Sequence, residues 1–256
     1  MGLNSYLSPM NSLVVGASGG IGLAFTQQLL SNENAVQVFA TYRDSTPSIE
    51  LEKLQQDYPQ KLQLLRLDIT EELQIEAMVK KIRQEVTKLH LVVNCVGLLH
   101  EENLQPEKNL RQIQPENLLA YFQVNSIGGI LLAKHLLPLF KHSDRSILAT
   151  ISAKVGSIGD NQLGGWYGYR ASKAALNMFL KTAAIEYKRS SPRTIIALLH
   201  PGTTDTRLSK PFQRNVPPEK LFSSDRTVRQ LLAVLDKLTE ADSGGFFSWD
   251  GSRLPW

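Results

Sequence analysis

The chain predicts an α/β fold in which one doubly wound parallel β-sheet carries helices on both faces. Three observations lead there. Short aliphatic or β-branched runs alternate with helix-period segments along the chain. The first of these runs, residues 12–15, passes directly into the glycine loop Gly16-Ala17-Ser18-Gly19-Gly20-Ile21-Gly22 and then into a helical pattern. No composition shift or linker divides the 256 residues, so 1–256 reads as a single domain.

Composition narrows the function classes. The net charge of +4 is spread over 28 basic and 24 acidic residues, with no basic run interleaved with aromatics, which argues against nucleic-acid binding. The one cysteine, Cys95, leaves no internal disulfide and no multi-cysteine metal cluster. His90, His100, His135, His142 and His200 are dispersed without ligand spacing, so no metal site is expected. No apolar run approaches the ~20 residues of a membrane span. The N-terminus lacks a basic region followed by an apolar stretch, and the expected location is cytoplasmic.

Residues 1–11 are polar with one proline and read as a loose lead-in. After the strand over 12–15, the glycine loop and the helical run 23–30 form the strand–loop–helix of a Rossmann unit. Glycines there let the backbone approach a pyrophosphate, and the helix N-terminus offers free N–H groups; Gly16, Ser18, Gly20, Ile21 and Gly22 are the candidate contacts. A second strand over 35–41 runs into Tyr42-Arg43-Asp44. An acidic residue at that strand end suits the ribose 2′-hydroxyl of NAD, whereas the Arg43 guanidinium suits a 2′-phosphate. Arg43 favours NADP(H), and Asp44 beside it leaves NAD(H) open.

A helix over 49–58 and a third strand over 62–67 lead to Asp68-Ile69-Thr70, with Thr70 as the expected N-cap of a helix running through 86. The fourth strand, 89–93, ends in Asn94-Cys95-Val96-Gly97, where the Asn either faces a ligand or holds the turn backbone. A polar stretch, 98–114, precedes a helix from Pro115 through about 137. Asn125 lies among its apolar residues and needs a partner, either a backbone carbonyl or an active-site water. The fifth strand, 146–152, is almost wholly apolar, as befits a central parallel strand. A glycine-rich loop to Gly165, a helix from about Tyr169 to 188 and a sixth strand over 194–199 follow. That strand ends in His200-Pro201-Gly202-Thr203-Thr204-Asp205-Thr206. The polar segment 208–224 is a candidate substrate lid, and a helix over 225–238 and a strand over 245–249 finish the chain.

Tyr169 and Lys173 are four residues apart, which on a helix places them on one face. A tyrosine hydroxyl titrates near pH 10, and a neighbouring ammonium favours the phenolate, bringing it toward general acid/base use. Any ordinary helix surface can show the same pair, so its meaning depends on the cofactor site around it.

Taken together, these motifs resemble the short-chain dehydrogenase/reductase family over nearly the whole chain. Gly16, Gly20 and Gly22 match its cofactor loop, Asp68 with Ile69 its adenine side, and Asn94 to Gly97 its Asn-Asn-Ala-Gly element. Asn125 matches the helix asparagine, Tyr169 and Lys173 the catalytic pair, and Pro201, Gly202, Thr204 and Thr206 the nicotinamide-side loop. The 156–161 loop and the Tyr-Arg-Ala-Ser-Lys wording look most like the C-factor-like or carbonyl-reductase-like branch.

The resemblance implies hydride transfer between a nicotinamide and a carbonyl or secondary-alcohol carbon of a small molecule. Tyr169 is then the general acid/base, Lys173 lowers its pKa and holds the nicotinamide ribose, and Asn125 positions a relay water. It also implies a homo-oligomer, a dimer or tetramer. One position departs from the pattern: counting back from Gly156, the family's serine falls on Ala153, with Ser152 one residue earlier. Ser152 is the expected catalytic hydroxyl if the strand end turns; otherwise Ser157 serves or the role is unfilled. The departure supports a second reading, an NAD(P)-binding sensor or signalling protein with vestigial catalysis.

Overall fold

A computed structural model describes residues 10–256. Seven strands form one parallel sheet: β1 (Met10–Val15), β2 (Ala35–Tyr42), β3 (Leu62–Arg66), β4 (Leu91–Asn94), β5 (Ser146–Ile151), β6 (Thr194–His200) and β9 (Gly245–Ser248). Their order is β3-β2-β1-β4-β5-β6-β9, every pairing parallel. The remaining two strands, β7 (Thr203–Thr204) and β8 (Leu221–Phe222), pair with each other. The lead-in expected over 1–11 lies outside the described residues up to 9. Met10 and Asn11 already belong to β1, where the Asn11 N–H donates to His90 Nδ1 at 3.0 Å.

The apolar runs are two-sided because both faces of the sheet are covered. Val14 of β1 joins one core with Phe25 and Leu29 of α1 (Gly20–Leu30) and Leu231 of α7 (Ser224–Lys237). Its neighbours Leu13 and Val15 join the opposite core, with Ile75 of α3 (Glu72–Glu85), Leu132 of α5 (Gly128–Phe140) and Leu176 of α6 (Tyr167–Ser190). This alternation by single residues is the period-2 signature of a strand with no solvated face. The short α2 (Ile49–Asp57) is capped by Ser48, whose hydroxyl accepts the Leu51 N–H. Thr70 does not cap α3: its N–H and hydroxyl both donate to Asp68 Oδ1, at 2.9 and 2.7 Å, and Glu71 occupies the cap position.

The single helix expected from Pro115 is three pieces. α4 (Pro115–Phe122) passes into a π-turn, Gln123–Ile127, before α5 resumes. Such bulges absorb one extra residue and re-aim side chains, and this one carries Asn125. α6 starts two residues earlier than expected, after Trp166, and ends with Lys188 and Arg189 in its last turn, where cations suit the helix dipole. The C-terminal residues fold back over the sheet edge: the Leu254 N–H donates to Phe246 O, and Trp256 stacks on Phe246 at 5.8 Å.

The chain steps from β1 out to β3 and then returns to β4 on the other side of β1. That reversal opens a crevice at the C-terminal ends of β1 and β4, the place where doubly wound sheets bind ligands.

Candidate active site

Two cavities share the walls Cys95, Val96 and Gly97 and run as one cleft along the strand ends. The chamber near β2 has about 350 Å³, and the one near α6 about 500 Å³. The glycine loop floors both. Gly16 has φ +83° and donates its N–H to Thr41 Oγ1 at 3.0 Å. A Cβ on Gly22 would stand 2.0 Å from Gly16 O, so only glycine lets the helix start approach the loop this closely. The result is a cradle of backbone at a helix N-terminus, suited to a pyrophosphate. No group of three or more metal-ligating side chains occurs among the described residues.

Gly16, Ser18, Arg43, Asp68 and Ile69 line the first chamber, as expected from sequence. Arg43 stands at its rim, about two-thirds exposed, near Asp44 Oδ1 (3.8 Å) and Glu101 Oε1 (3.7 Å). Both ion pairs are long and solvated, so the guanidinium is readily available to another anion. Gly20, Ile21, Gly22, Tyr169, Lys173, Pro201, Gly202, Thr204 and Thr206 border the second chamber, and Gly97 borders both. The Thr204 hydroxyl shares a hydrogen bond with Thr227 Oγ1 at 2.8 Å, which leaves that loop anchored on α7.

Tyr169 and Lys173 are both buried on one face of α6, with Lys173 Nζ 5.9 Å from the Tyr169 ring centre. Nζ donates to Ile151 O at 3.0 Å and lies against Gly97, whose Cβ position would be 3.6 Å away. Burial governs both titrations. It pushes the Tyr169 phenol up and brings the Lys173 ammonium down to about 8. Burial acts against the lowering expected from the Lys173 ammonium, because desolvation disfavours the charged form of each group.

Three expected site residues are placed differently from their assignments. Asn94 is 3 % exposed and borders neither chamber; its Oδ1 accepts the Val96 N–H at 3.1 Å, so it holds the turn. Asn125 points its whole amide at protein: Oδ1 accepts the Leu98 N–H (2.7 Å), while Nδ2 donates to Leu98 O (2.8 Å) and Ser172 Oγ (3.0 Å). The Leu98 backbone and the Ser172 hydroxyl are its side chain's partners. Ser152 touches the chamber wall, but its hydroxyl donates to Asn177 Oδ1 at 2.7 Å, two helical turns beyond Tyr169. Ala153 instead packs against the apolar cluster that includes Tyr169, Tyr121 and Leu98. Neighbouring residues leave an extended chain on opposite sides, and Ala153, two residues past β5, is still extended at φ −150°, ψ 142°. Ser157 is buried, and its hydroxyl accepts the Asp160 N–H at 3.2 Å.

The sequence reading missed several neighbours. Trp166 stands edge-on to Tyr169 at 6.1 Å, and Tyr121, fully buried, does the same from the other side at 6.3 Å. Glu107 is 1 % exposed, and its Oε2 accepts the Gly168 N–H at 3.1 Å, capping α6 from a distant segment. Phe212 and Leu208 of the expected lid close the second chamber. The lid is hydrogen-bonded down: Ser209 Oγ donates to Thr204 O at 2.5 Å, and Gln213 Nε2 to Asp205 Oδ1 at 2.9 Å.

Comparison with known proteins agrees with this geometry. The family model described as short chain dehydrogenase matches residues 11–217. NADPH-bound carbonyl reductase from chicken fatty liver superposes with a TM-score of 0.87 at 30% identity, over 98% of this chain and 100% of that one. Benzil reductase ((S)-benzoin forming) of Saccharomyces cerevisiae is 30% identical over 81% of this chain and 76% of its own. C-signal of Myxococcus xanthus is 32% identical over 53% of this chain and 76% of its own. No helix among the described residues is long and apolar enough to cross a membrane.

Proposed function

The chain belongs to the short-chain dehydrogenase family and is therefore an oxidoreductase, and from that premise we propose an NADP(H)-dependent reductase of small carbonyl compounds. The observation that carries this reading is the buried Tyr169–Lys173 pair on the wall of a chamber continuous with the glycine cradle. A bound nicotinamide would supply the hydride, and the chain supplies position, desolvation and the proton. Tyr169 donates its hydroxyl proton to the developing alkoxide. Because burial raises that phenol, it stays protonated at neutral pH, which suits reduction over oxidation. Lys173, tethered to Ile151 O, has two further N–H donors for ribose hydroxyls beside Gly97.

Asn125 acts through Leu98: by pairing both backbone groups of that residue it fixes the chain after β4, which forms the wall shared by the chambers. The Ser152 hydroxyl is engaged by Asn177, so the phenol works without the family's serine, and Ala153 leaves that wall apolar. Arg43 selects NADP(H) by reaching the 2′-phosphate from the rim of the first chamber. The active species is a homo-oligomer.

The Ala153 wall is also the observation that favours the sensor reading. NADPH consumption over a panel of aldehydes and ketones, with wild type and Tyr169→Phe, separates the two. Turnover lost by at least a hundredfold in the variant supports the reductase. Equal, near-zero rates beside tight NADPH binding support the sensor.

A further inference from the structure

Trp166 borders a second space besides the reaction chamber. On its other side, between the 102–117 segment and the lid, lies a polar outer chamber of about 770 Å³. Trp166 and Phe212 line both. Their rings meet edge to face, 4.9 Å between centres at 62°, and the Trp166 ring also meets the reacting Tyr169. The wall therefore begins one ring away from the chemistry and runs from the start of α6 to the lid.

Trp166 is held in this place against its own backbone preference. It is the one non-glycine residue with positive φ among the described residues, at φ 52°, ψ 45°. Such an outlier in a bulky residue persists only where its surroundings impose it. Here the Trp166 N–H donates to Glu107 O at 2.5 Å, and the Glu107 carboxylate holds the Gly168 N–H two residues on. From the other side the Arg170 guanidinium donates to the carbonyls of Val155, Gly164 and Gly165, at 3.1, 3.2 and 3.0 Å. The two sides of the partition also differ in chemistry. The inner one is apolar around Ala153, Val155 and Leu208, whereas the outer one presents Lys108 and Arg111 against a single carboxylate, Glu102.

We propose that Trp166, with Phe212, is a partition that limits substrate length, confining the enzyme to compact carbonyl compounds. Opening it would admit ketones whose long arm ends in an anion, the end group that Lys108 and Arg111 would receive. The inference rests on the reductase reading. Its test compares wild type, Trp166→Ala, Trp166→Phe and Phe212→Ala on acetophenone and on 6-oxo-6-phenylhexanoate, a long-armed keto acid with the same reacting end. The expected result is a rise of tenfold or more in kcat/KM for the keto acid in Trp166→Ala and Phe212→Ala. Trp166→Phe should keep the wild-type ranking. A proportional loss on both ketones in Trp166→Ala, with NADPH affinity unchanged, would overturn the partition. So would a Trp166→Phe variant that behaves as Trp166→Ala does. If no variant reduces either ketone, the reductase reading fails separately. The partition is then decided by calorimetric titration of the keto acid into NADP-loaded protein: tighter binding to Trp166→Ala sustains it, and equal affinity refutes it.

Discussion

Replacing Lys173 by methionine should stabilise the protein while it destroys activity. Lys173 is 2 % exposed, and its ammonium is brought from an ordinary 10.5 down to about 8 by burial. At ~1.4 kcal/mol per pH unit, keeping that charge in the folded chain at neutral pH costs about 3 kcal/mol. Methionine has similar reach and no charge, but it forfeits the hydrogen bond to Ile151 O, worth about 1 kcal/mol. The net gain is about 2 kcal/mol, or a Tm rise of roughly 4–8 °C for a chain of this size. The pH dependence fixes the cause. The folded lysine releases its proton near pH 8 and the unfolded one near 10.5, so between those values the unfolded state binds more protons and wild-type stability rises with pH. Below pH 8 the penalty is complete; above 10.5 it is gone. Calorimetric unfolding at pH 7 and pH 9.5 should therefore show the variant's advantage shrinking at the higher pH. A lower Tm for Lys173→Met at pH 7, or an advantage independent of pH, would refute the reasoning.

Three further outcomes test other parts of the site. Ala153→Ser places a hydroxyl on the wall near Tyr169 and should raise kcat by about a hundredfold in steady-state assays, the worth of one donor to the developing oxyanion; an unchanged kcat would mean that wall does not face the reacting oxygen. Arg43→Ala should weaken NADPH binding by about tenfold or more and leave NADH binding nearly unchanged in fluorescence titrations, the loss of one charged hydrogen-bonding partner; equal losses would remove Arg43 from cofactor choice. Gly168→Ala places a Cβ 2.4 Å from Tyr121 Cδ2 and 3.0 Å from Glu107 Oε1, overpacking that should cost about 1–3 kcal/mol and lower both Tm and kcat.

The sheet and most of its helices were legible because their signals are local. Alternating apolar runs and the glycine loop specify strands and a cradle within a few residues of themselves. Lys173 and Tyr169 were legible for the same reason, as a pair on one helix. What sequence could not show were choices settled by distant partners. The Asn125 amide turns to Leu98, and Asn94 turns to Val96, because buried amides take whichever backbone groups the fold brings within reach. Ser152 and Ala153 differ by one position in an extended chain just past β5, and that decides which of them meets Asn177 and which packs against the cluster that includes Tyr169. Glu107 had no motif at all. Its role exists only because a loop some sixty residues upstream lies across the start of α6. Trp166 carried a weak local signal, a bulky residue directly after Gly164-Gly165, and its left-handed backbone became visible only in three dimensions.

The short pairing of β7 with β8 bears on how the reaction chamber can be emptied. Thr203 and Thr204 sit opposite Leu221 and Phe222, so the far root of the lid is stitched to the loop that borders the cofactor side of the chamber. Phe222 is 4 % exposed, stacks edge-on with Trp249 at 4.9 Å, and fills the space where a Cβ on Gly202 would stand. Peeling the lid from that root would break the ladder and bare an aromatic ring to water. The segment is a flap sewn down at that hem, and at its other end Ser209 and Gln213 tie it to Thr204 and Asp205. Of the two seams the exposed Gln213–Asp205 tie is the weaker and the buried hem the stronger, so opening the segment would start at the exposed one.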